Sequence, residues 1–430
     1  MTLLIIADDL SGAADCAIAF ASAGHSTVVT LDVSHETSDA SVIAIDTDTR
    51  RLTGVQAGER TLEAYQALMA PGRKLYKKID STLRGNWAAE VAALQPKAGL
   101  AIVAPAFPAT GRTTVDGQVL VNGHPLETTD TWKLEHADCS ADITLMLEAS
   151  GLRVARLTLA VLRGDVAALA RHITEAANSE AQALIVDAVT TEDLKILALA
   201  SAQLEEATFW VGSGGLAREI ALLPDFKLEK SPTTPDEHEK YAPTLVVVGS
   251  LSGVSDRQCV MLKERTGIKE LVVPPPVLRR GKEHVDWNDW EARIGECLNQ
   301  GDDLLLRIGR DEAFDPAEGA HLSTGLAALV RSNFPQVGGV IATGGETARA
   351  MLCAVGIGSL QLMREIEAGV AFGRPITPLA GRRPGVVTKA GAFGTDHALY
   401  AAWLHLNNAI EPAQYSADTV TNPALLGKTS

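Results

Sequence analysis

The stretch LLIIADDLSGAADCAIAFASAGHSTVVTL, residues 3–31, carries the pattern that decides the fold. Its first residues, 3–7, form a short apolar run that is typical of a buried strand. Residues 11–22 are rich in alanine and are predicted to form a helix, with Ser11 as the cap of its amino terminus. Residues 27–31 are again strand-like. A strand, a helix and a second strand in this order predict a βαβ unit with parallel strands.

The same alternation continues through the rest of the first half. Further strands are predicted at residues 41–45, 75–79 and 101–104, and helices at 55–69 and 86–94. The pair Asn122-Gly123 lies between GQVLV and HPL and predicts a hairpin turn. The first half is therefore predicted to contain a mostly parallel sheet with helices on its faces.

Residues 229–243, EKSPTTPDEHEKYAP, interrupt this alternation with three prolines and many charges, so we interpret them as a linker. The alternation restarts at TLVVVGS, residues 244–250, and continues to about residue 405. The predicted fold class is α/β, with two domains that each hold a mostly parallel sheet flanked by helices. Their predicted bounds are 1–228 for the amino-terminal domain, 229–243 for the linker, 244–406 for the carboxy-terminal domain and 407–430 for a polar tail.

The composition excludes several classes of protein. The 430 residues are 46% apolar and 21% charged, which is typical of a globular protein. No run approaches the ~18 apolar residues of a membrane span, and the opening apolar run is too short for a signal peptide. The five cysteines lie far apart without a CxxC pair, which predicts neither a disulfide framework nor a zinc site. We expect a cytoplasmic protein, and a net charge of −15 argues against a nucleic-acid partner.

Charged side chains follow two strands of the first half at their carboxyl ends. Asp8 and Asp9 follow the first strand, and Arg50 lies in IAIDTDTRR, which contains the end of the strand at 41–45. Ligands of open parallel sheets bind at this edge, where a carboxylate can act as a base and an arginine can clamp a carboxylate. The alternative is that the two aspartates only cap the helix that follows them.

A third polar segment, YKKIDSTLRGN at residues 76–86, also follows a strand and precedes a helix. It gathers lysines, an arginine, a carboxylate and two hydroxyls, and taken alone it is interpreted most simply as a solvated turn. Three polar segments at one edge of a sheet instead favour a pocket for a small polyhydroxy acid. Cations there would bind its carboxylate, and acceptors would bind its hydroxyls.

Three glycine-containing loops mark the second half: VVVGSLSGVSDRQ, IATGGETARAML and VVTKAGAFGTDHAL. Each leads from a strand into a helix, so backbone N–H groups and a helix amino terminus can approach phosphate oxygens. Three such loops predict a nucleotide site. The chain lacks an internal GxxxxGK[ST] motif and a GxGxxG motif after the first strand of either half, which disfavours a P-loop or a dinucleotide fold.

With these motifs the chain resembles the four-carbon acid sugar kinase family. The resemblance is carried by ADDLSGAAD, DTDTR, KKIDSTLRGN and APAFPATGRTTVDGQVLVNGHPL in the first half. In the second half it is carried by VVGSLSGVSDRQ, ATGGETARAML and TKAGAFG, and it spans about residues 3–405. Two departures are mild: Ser11 stands where the family usually has threonine, and GAFG replaces GNFG or GGFG while keeping both glycines.

The resemblance implies that the amino-terminal domain holds the acid sugar and the carboxy-terminal domain holds ATP. Carried over position by position, the substrate residues would be Asp9, Arg50, Ser81, Thr82, Leu83 and Arg84, to which the polar segments add Asp8, Lys78 and Asp80. The ATP-binding residues would be Ser250, Ser252, Gly344, Gly345, Glu346, Thr347 and Gly391. The motifs do not distinguish threonate, erythronate and 3-oxo-tetronate.

The first hypothesis is therefore an ATP-dependent kinase acting on the terminal hydroxyl of a small sugar acid. Lys78 and Arg84 would bind the carboxylate or the transferring phosphoryl group, and Asp9 or Asp80 would deprotonate the attacking hydroxyl, with Asp396 as a further candidate. Mg²⁺ would bridge the phosphates and keep several waters, so we expect no dedicated metal site in the protein. The alternatives are a non-catalytic sugar-acid or nucleotide sensor and an NAD-dependent dehydrogenase; a homo-oligomer is left open.

Overall fold

The computed structural model describes residues 2–34, 39–130, 132–133, 140–224, 242–312, 315, 318–391 and 393–408. In the first half the strands are β1 (Thr2–Ala7), β2 (Thr27–Thr30), β3 (Val42–Asp46), β4 (Arg73–Lys78), β5 (Leu100–Ala104), β6 (Arg112–Val115), β7 (Gln118–Val121), β8 (His124–Pro125), β9 (Val154–Leu157), β10 (Ala183–Val186) and β11 (Thr208–Gly212). The helices there are α1 (Leu10–Ser22), α2 (Gly54–Leu68), α3 (Trp87–Ala98), α4 (Ile143–Ala149), α5 (Leu159–Leu162), α6 (Val166–Ala177), α7 (Thr191–Ser201) and α8 (Gly214–Ala221).

The second half repeats the alternation. Its strands are β12 (Thr244–Val248), β13 (Lys269–Val273), β14 (Leu304–Ile308), β15 (Gly339–Thr343), β16 (Ser359–Glu367), β17 (Val370–Pro375) and β18 (Gly385–Lys389). Its helices are α9 (Gly253–Thr266), α10 (Pro275–Arg280), α11 (Trp287–Asn299), α12 (Gly319–Val330), α13 (Gly345–Ala354) and α14 (Ala398–Leu406). The predicted α/β class with mostly parallel sheets is confirmed.

The two halves share one sheet of fifteen strands. Its order is β13-β14-β12-β15-β18-β17-β16-β2-β3-β1-β4-β11-β5-β10-β9. The strands of the first half that belong to it are all parallel, as are β12, β13, β14, β15 and β18. The halves join where β16 pairs antiparallel with β2, for example Ser359 opposite Thr30. No pattern in the sequence predicts this pairing.

Strand β1 is buried on both faces, which fixes the residues that follow it. Leu3 and Ile5 pack into the cluster that includes α1, whereas Leu4 and Ile6 pack into the cluster on the opposite face. All four side chains are fully buried, and burial of each contributes about 1.5–3 kcal/mol relative to exposure. The carboxyl end of β1 is thus a rigid support.

The predicted cap of α1 is wrong. Asp9, not Ser11, caps the helix: its backbone is extended, and its Oδ1 accepts the N–H of Gly12 at 2.9 Å. Ser11 instead lies within the first turn, because the carboxylate two residues earlier already satisfies the free N–H. Asp9 therefore caps α1 and also lies at the carboxyl edge of the sheet.

The predicted hairpin at Asn122-Gly123 is confirmed. These residues join β7 to β8 with φ values of 51° and 82°, the left-handed conformation that a tight hairpin turn requires. A second tight turn, Asp116-Gly117, joins β6 to β7 with φ values of 51° and 73°. The three strands form a small sheet beside the main one.

Within the described ranges, no helix combines the length and the hydrophobicity needed to cross a lipid bilayer. Residues 229–241 of the predicted linker and residues 409–430 of the predicted tail lie outside the described residues. The domain bounds therefore stay a prediction.

Candidate active site

A cavity lies at the carboxyl ends of β1, β4 and β11 and extends to the turn that follows β18. From the first half it is lined by Asp9, Ser11, Gly12, Asp15, Arg50, Lys78, Asp80, Ser81, Arg84, Phe107, Ser213 and Gly214, and from the second half by Gly369, Ala390 and Phe393. Most of the residues proposed for the acid therefore share one cavity. Asp8, Thr82 and Leu83 lie beside it and support its walls.

Arg50 holds two aspartates together at the base of the cavity. Its Nε and Nη2 donate to the carboxylate of Asp8 at 2.8 and 3.0 Å, and its Nη1 and Nη2 donate to Asp9 at 3.2 and 3.1 Å. Burial of Asp8 favours its protonated form, but the ion pair with Arg50 outweighs this and lowers the pKa of Asp8. All three nitrogens of the guanidinium are engaged with Asp8 and Asp9. The main role of Arg50 is therefore to orient Asp9 and not to donate hydrogen bonds to a ligand.

The turn after β4 is built around the carboxylate of Asp80. Its Oδ1 accepts the N–H and the hydroxyl of Thr82 at 2.7 and 2.5 Å, and its Oδ2 accepts from Nη2 of Arg84 at 2.6 Å. Burial opposes ionisation, but the neighbouring cations Arg84, Arg50 and Lys78 lower the pKa of Asp80 far below its ordinary value. Asp80 is therefore a fixed anion and a weak base.

Leu83 closes this turn with a left-handed backbone, φ 56°, and its fully buried side chain packs into the core. Gly85 is also left-handed, and a Cβ there would lie 2.7 Å from Oδ2 of Asp8. The turn after β4 and the aspartates after β1 thus touch directly.

The two lysines of β4 point to opposite faces, as neighbouring residues of a strand do. Lys77 is fully buried and pairs with Glu90 at 2.8 Å, so its role is structural. Lys78 lines the cavity, where its charge acts on Asp8, Asp15 and Asp80. This separates the functional lysine of the motif from the structural one.

Asp15 is a cavity residue that the sequence analysis did not select. It lies 3.5 Å from Nη2 of Arg218, and burial raises the pKa of Asp15 above its ordinary value. Asp15 follows Ser11 by four residues, one helical turn, which places both on the same face of α1. That spacing within ADDLSGAAD is the signal that could have identified it.

The glycine turn before α13 faces the aspartates of the first half. Gly344 has φ 98° and donates its N–H to the carbonyl of Lys389 at 2.8 Å. A Cβ on Gly345 would lie only 2.8 Å from Oδ2 of Asp9. Glu346 forms an ion pair with Arg51 of the first half.

Thr347, the fourth residue proposed in this turn, has a different environment. Its hydroxyl is buried and hydrogen-bonded to Ser323 at 2.9 Å, and a Cβ on Gly249 would overlap it. The buried side chain of Thr347 therefore stabilises the turn through its hydrogen bond to Ser323.

The other two glycine loops touch one another. Ser252 caps α9, and its hydroxyl accepts from the N–H of Ser255 at 3.2 Å. Ser250 donates to Ser252 at 3.1 Å, and a Cβ on Gly391 would lie 2.7 Å from Oγ of Ser250. The proposed nucleotide residues Ser250, Ser252 and Gly391 are thus brought together.

Lys389 fixes the loop that contains Gly391, a role not foreseen from the sequence. Its buried ammonium donates to the carbonyls of Ala390, Gly391 and Phe393 at 2.9, 3.1 and 2.9 Å. Asp396, in contrast, is not part of the cavity lining and pairs with Arg257 at 2.9 Å on the surface.

These loops have backbone features that phosphate-binding sites share. Helices α9 and α13 both begin at these glycine loops, and the cap residue of α13, Gly344, has no side chain to accept from its first N–H groups. Such N–H groups can bind phosphate oxygens. The lack of a side chain at Gly345 and Gly391 lets these loops approach Asp9 and Ser250, which a Cβ there would meet at 2.8 and 2.7 Å. Across the described part of the chain, no group of three His, Cys, Asp or Glu side chains has the arrangement of a metal site. A magnesium ion held by phosphates and waters needs only one or two carboxylates.

Two family models match the chain, one described as a sugar-binding amino-terminal domain over residues 3–220 and one as a nucleotide-binding carboxy-terminal domain over residues 245–399. A D-threonate kinase of Cupriavidus necator is 52% identical over 418 residues, covering 96% of this chain and 100% of that protein. A D-threonate kinase of Salmonella typhimurium is 30% identical, covering 94% and 98%.

A crystal structure from Salmonella typhimurium, described as a putative tRNA synthase, superposes with a TM-score of 0.76. It is 22% identical and covers 93% of this chain and 98% of that one, a likeness that shows a shared fold. The two family models, together with 52% identity across nearly the whole length, show that the chain belongs to the four-carbon acid sugar kinase family.

Proposed function

We propose that this protein transfers the γ-phosphoryl group of ATP to the terminal hydroxyl of D-threonate. Membership of the family makes the chain a sugar acid kinase, and the two relatives described above, both named D-threonate kinases, support D-threonate as the acid. The observation that carries the proposal is the close approach of Gly345 to Asp9. Gly345 lies in a glycine turn that we propose binds ATP, and Asp9 lines the cavity that we propose binds the acid.

The first half, residues 1–228, binds the acid in this proposal, and residues 244–406 bind ATP. Lys78 and Arg84 offer positive charge to the acid carboxylate, while Ser81 and Asp9 can bind its hydroxyls. Cytoplasmic location and homo-oligomerisation stay predictions.

Asp9 is the carboxylate best placed to take the proton. It faces the Gly345 turn, where the γ-phosphoryl group would enter, whereas Asp80 is a weak base because three cations hold its pKa low. The hydroxyl oxygen forms a bond to the γ-phosphorus while the bond to the β,γ-bridging oxygen breaks. ADP leaves with that electron pair, and the hydroxyl proton passes to Asp9.

ATP would be held by the Gly344–Gly345 turn, Ser250, Ser252 and Gly391. Magnesium bound to the phosphates supplies neutralisation of their charge. Arg50 keeps the carboxylate of Asp9 in one orientation through its two hydrogen bonds, so that Asp9 is in place before the acid binds.

The test is a panel of D-threonate, L-threonate, D-erythronate and 3-oxo-tetronate, each with magnesium and ATP, with ADP release as the readout. We expect D-threonate to give the highest kcat/KM. A clear preference for another acid of the panel would overturn the choice of acid but not the kinase. Acid binding by calorimetry without any ADP release would instead indicate the sensor, and reduction of NAD in a parallel assay would indicate the dehydrogenase.

A further inference from the structure

Arg112, at the start of β6, lies beside Phe393, a residue of the cavity lining. Its Nη1 donates to the carbonyl of Thr110 at 2.5 Å. Its Nε is buried and finds no hydrogen-bond partner among the described residues. The guanidinium also lies over the ring of Phe393, 6.0 Å from the ring centroid. Phe393 lines the cavity from the second half, so Arg112 reaches across the boundary between the halves.

The backbone holds Arg112 firmly in this place. Phe107 and Arg112 exchange two backbone hydrogen bonds of 2.8 and 3.1 Å across the intervening loop. Gly111 adopts φ 74° and accepts the N–H of Asn122 at 2.7 Å. Since Phe107 lines the cavity and Asn122 belongs to the confirmed hairpin turn, the small sheet positions Arg112 against the active site.

Arg112 differs from the other arginines around the cavity in its charge environment. Carboxylates pair with Arg50, Arg51, Arg84, Arg218 and Arg349. Within the described ranges, Arg112 forms no ion pair. Burial lowers the pKa of Arg112, with the charge of Asp80 opposing this shift and that of Arg84 adding to it. A partly desolvated guanidinium with spare donors is stabilised when an anion enters.

We propose that Arg112 binds the phosphoryl group while it passes from ATP to the acid, an inference that rests on the proposed kinase function. The charges of Asp80 and Arg84, which line the acid side of the cavity, act on Arg112. Its guanidinium lies over the ring of Phe393, two residues from the nucleotide-side Gly391. The acid carboxylate has Lys78 and Arg84 available, whereas the boundary between the halves is where the phosphoryl group must pass.

In this transfer the acid hydroxyl oxygen bonds to the γ-phosphorus and the bridging oxygen leaves with ADP, while Asp9 takes the proton. Charge spreads over the three remaining oxygens of the phosphoryl group in the transition state. The guanidinium of Arg112, whose Nε–H has no hydrogen-bond partner among the described residues, offers hydrogen bonds to those oxygens. Arg112 itself neither gains nor loses a proton.

The test compares Arg112→Gln and Arg112→Lys with Arg156→Gln. Arg156, on β9, pairs loosely at 3.6 Å with Asp116 in the turn between β6 and β7 and is not a residue of the cavity lining, so it is the control. We expect Arg112→Gln to lower kcat about 100-fold or more, as loss of a transition-state donor does. Arg112→Lys should recover only part of this loss because it lacks the planar fork. Arg156→Gln should keep the wild-type kcat.

Two binding measurements separate this role from a structural one. By calorimetry, D-threonate alone should bind Arg112→Gln within about twofold of the wild-type affinity, a range that is small beside the expected loss of kcat. In a thermal melt, ADP, magnesium and aluminium fluoride should stabilise the wild-type complex with the acid and stabilise Arg112→Gln much less. The melt without ligands shows whether each variant is folded.

Several outcomes would overturn the role of Arg112. Full kcat in a folded Arg112→Gln variant would exclude it. An equal loss of kcat and of acid affinity would assign Arg112 to the acid carboxylate instead. A wild-type protein that releases no ADP with any acid would overturn the proposed function together with this inference, so failure of the kinase and failure of Arg112 alone are distinguishable.

Discussion

Replacing Gly345 by alanine should damage acid binding as well as ATP binding. A glycine turn that only cradles phosphate would affect ATP alone. Here the added Cβ would lie 2.8 Å from Oδ2 of Asp9 and 3.0 Å from Oγ of Ser11. Normal contact requires Asp9 to move by roughly half an ångström, which strains its hydrogen bonds to Gly12 and Arg50.

Overpacking of this kind costs about 1–3 kcal/mol. If the strain falls on the catalytic arrangement, kcat/KM for the acid should fall by roughly 5- to 150-fold. Steady-state ADP release, with each substrate varied in turn, measures this loss, and calorimetry with the acid alone measures how much of it is affinity.

Gly54→Ala is the matched control, because Gly54 is also the first residue of a helix that follows a loop. Its added Cβ would meet only the methyl of Ala89, at 3.3 Å, far from the cavity. We expect wild-type kinetics from it. A Gly345→Ala variant that is folded by its melt and keeps kcat/KM for both substrates within twofold of wild type would refute this strain on Asp9.

Four further predictions concern charged residues. Arg84→Lys should lower kcat/KM for the acid by roughly 10- to 100-fold, since the charge remains but the planar guanidinium, whose Nη2 donates to Asp80, is lost. Asp80→Asn should raise KM more than it lowers kcat, as steady-state kinetics will show. Burial outweighs the attraction of Arg349 and raises the pKa of Asp46 to about 7. Wild type should therefore lose stability relative to Asp46→Asn as the pH rises from about 4 to 7, whereas a carboxylate with a lowered pKa would add stability over its own range as the pH rises. Thermal melts across this pH range measure the trend. Lys389→Met should raise KM for ATP at least about tenfold by releasing three carbonyls of the nucleotide loop, while calorimetry shows acid binding retained.

Local patterns in the sequence predicted most elements of the fold. Apolar runs and helical periodicity located β1, α1 and β4, and Asn-Gly located the hairpin turn, because each depends on neighbours in the chain. The pairing of β2 with β16 could not be predicted, since either strand could form the edge of a separate sheet. The cap of α1 was misassigned because Asp9 and Ser11 are both good caps and only the backbone conformation decides between them.

Sequence reasoning selected cavity residues that end a strand or follow one closely, such as Lys78, Asp9 and Asp80. Asp15 and Arg112 were missed for different reasons. Asp15 lies within a helix, where an aspartate is usually exposed, and Arg112 lies in a hairpin whose distance from the cavity depends on tertiary packing. The contact between Gly345 and Asp9 joins residues that sequence reasoning assigned to separate domains.

The pairing of β2 with β16 also has a consequence for synthesis on the ribosome. Thr30 and its partner Ser359 are 329 residues apart, so at 5–20 residues per second β2 waits roughly 15–65 s for its neighbour. Throughout that interval the nascent first half presents an open strand edge, which can accept a strand from another chain. A polysome, where a completed β16 of one chain emerges beside an unpaired β2 of the next, is therefore the setting in which two copies would exchange halves.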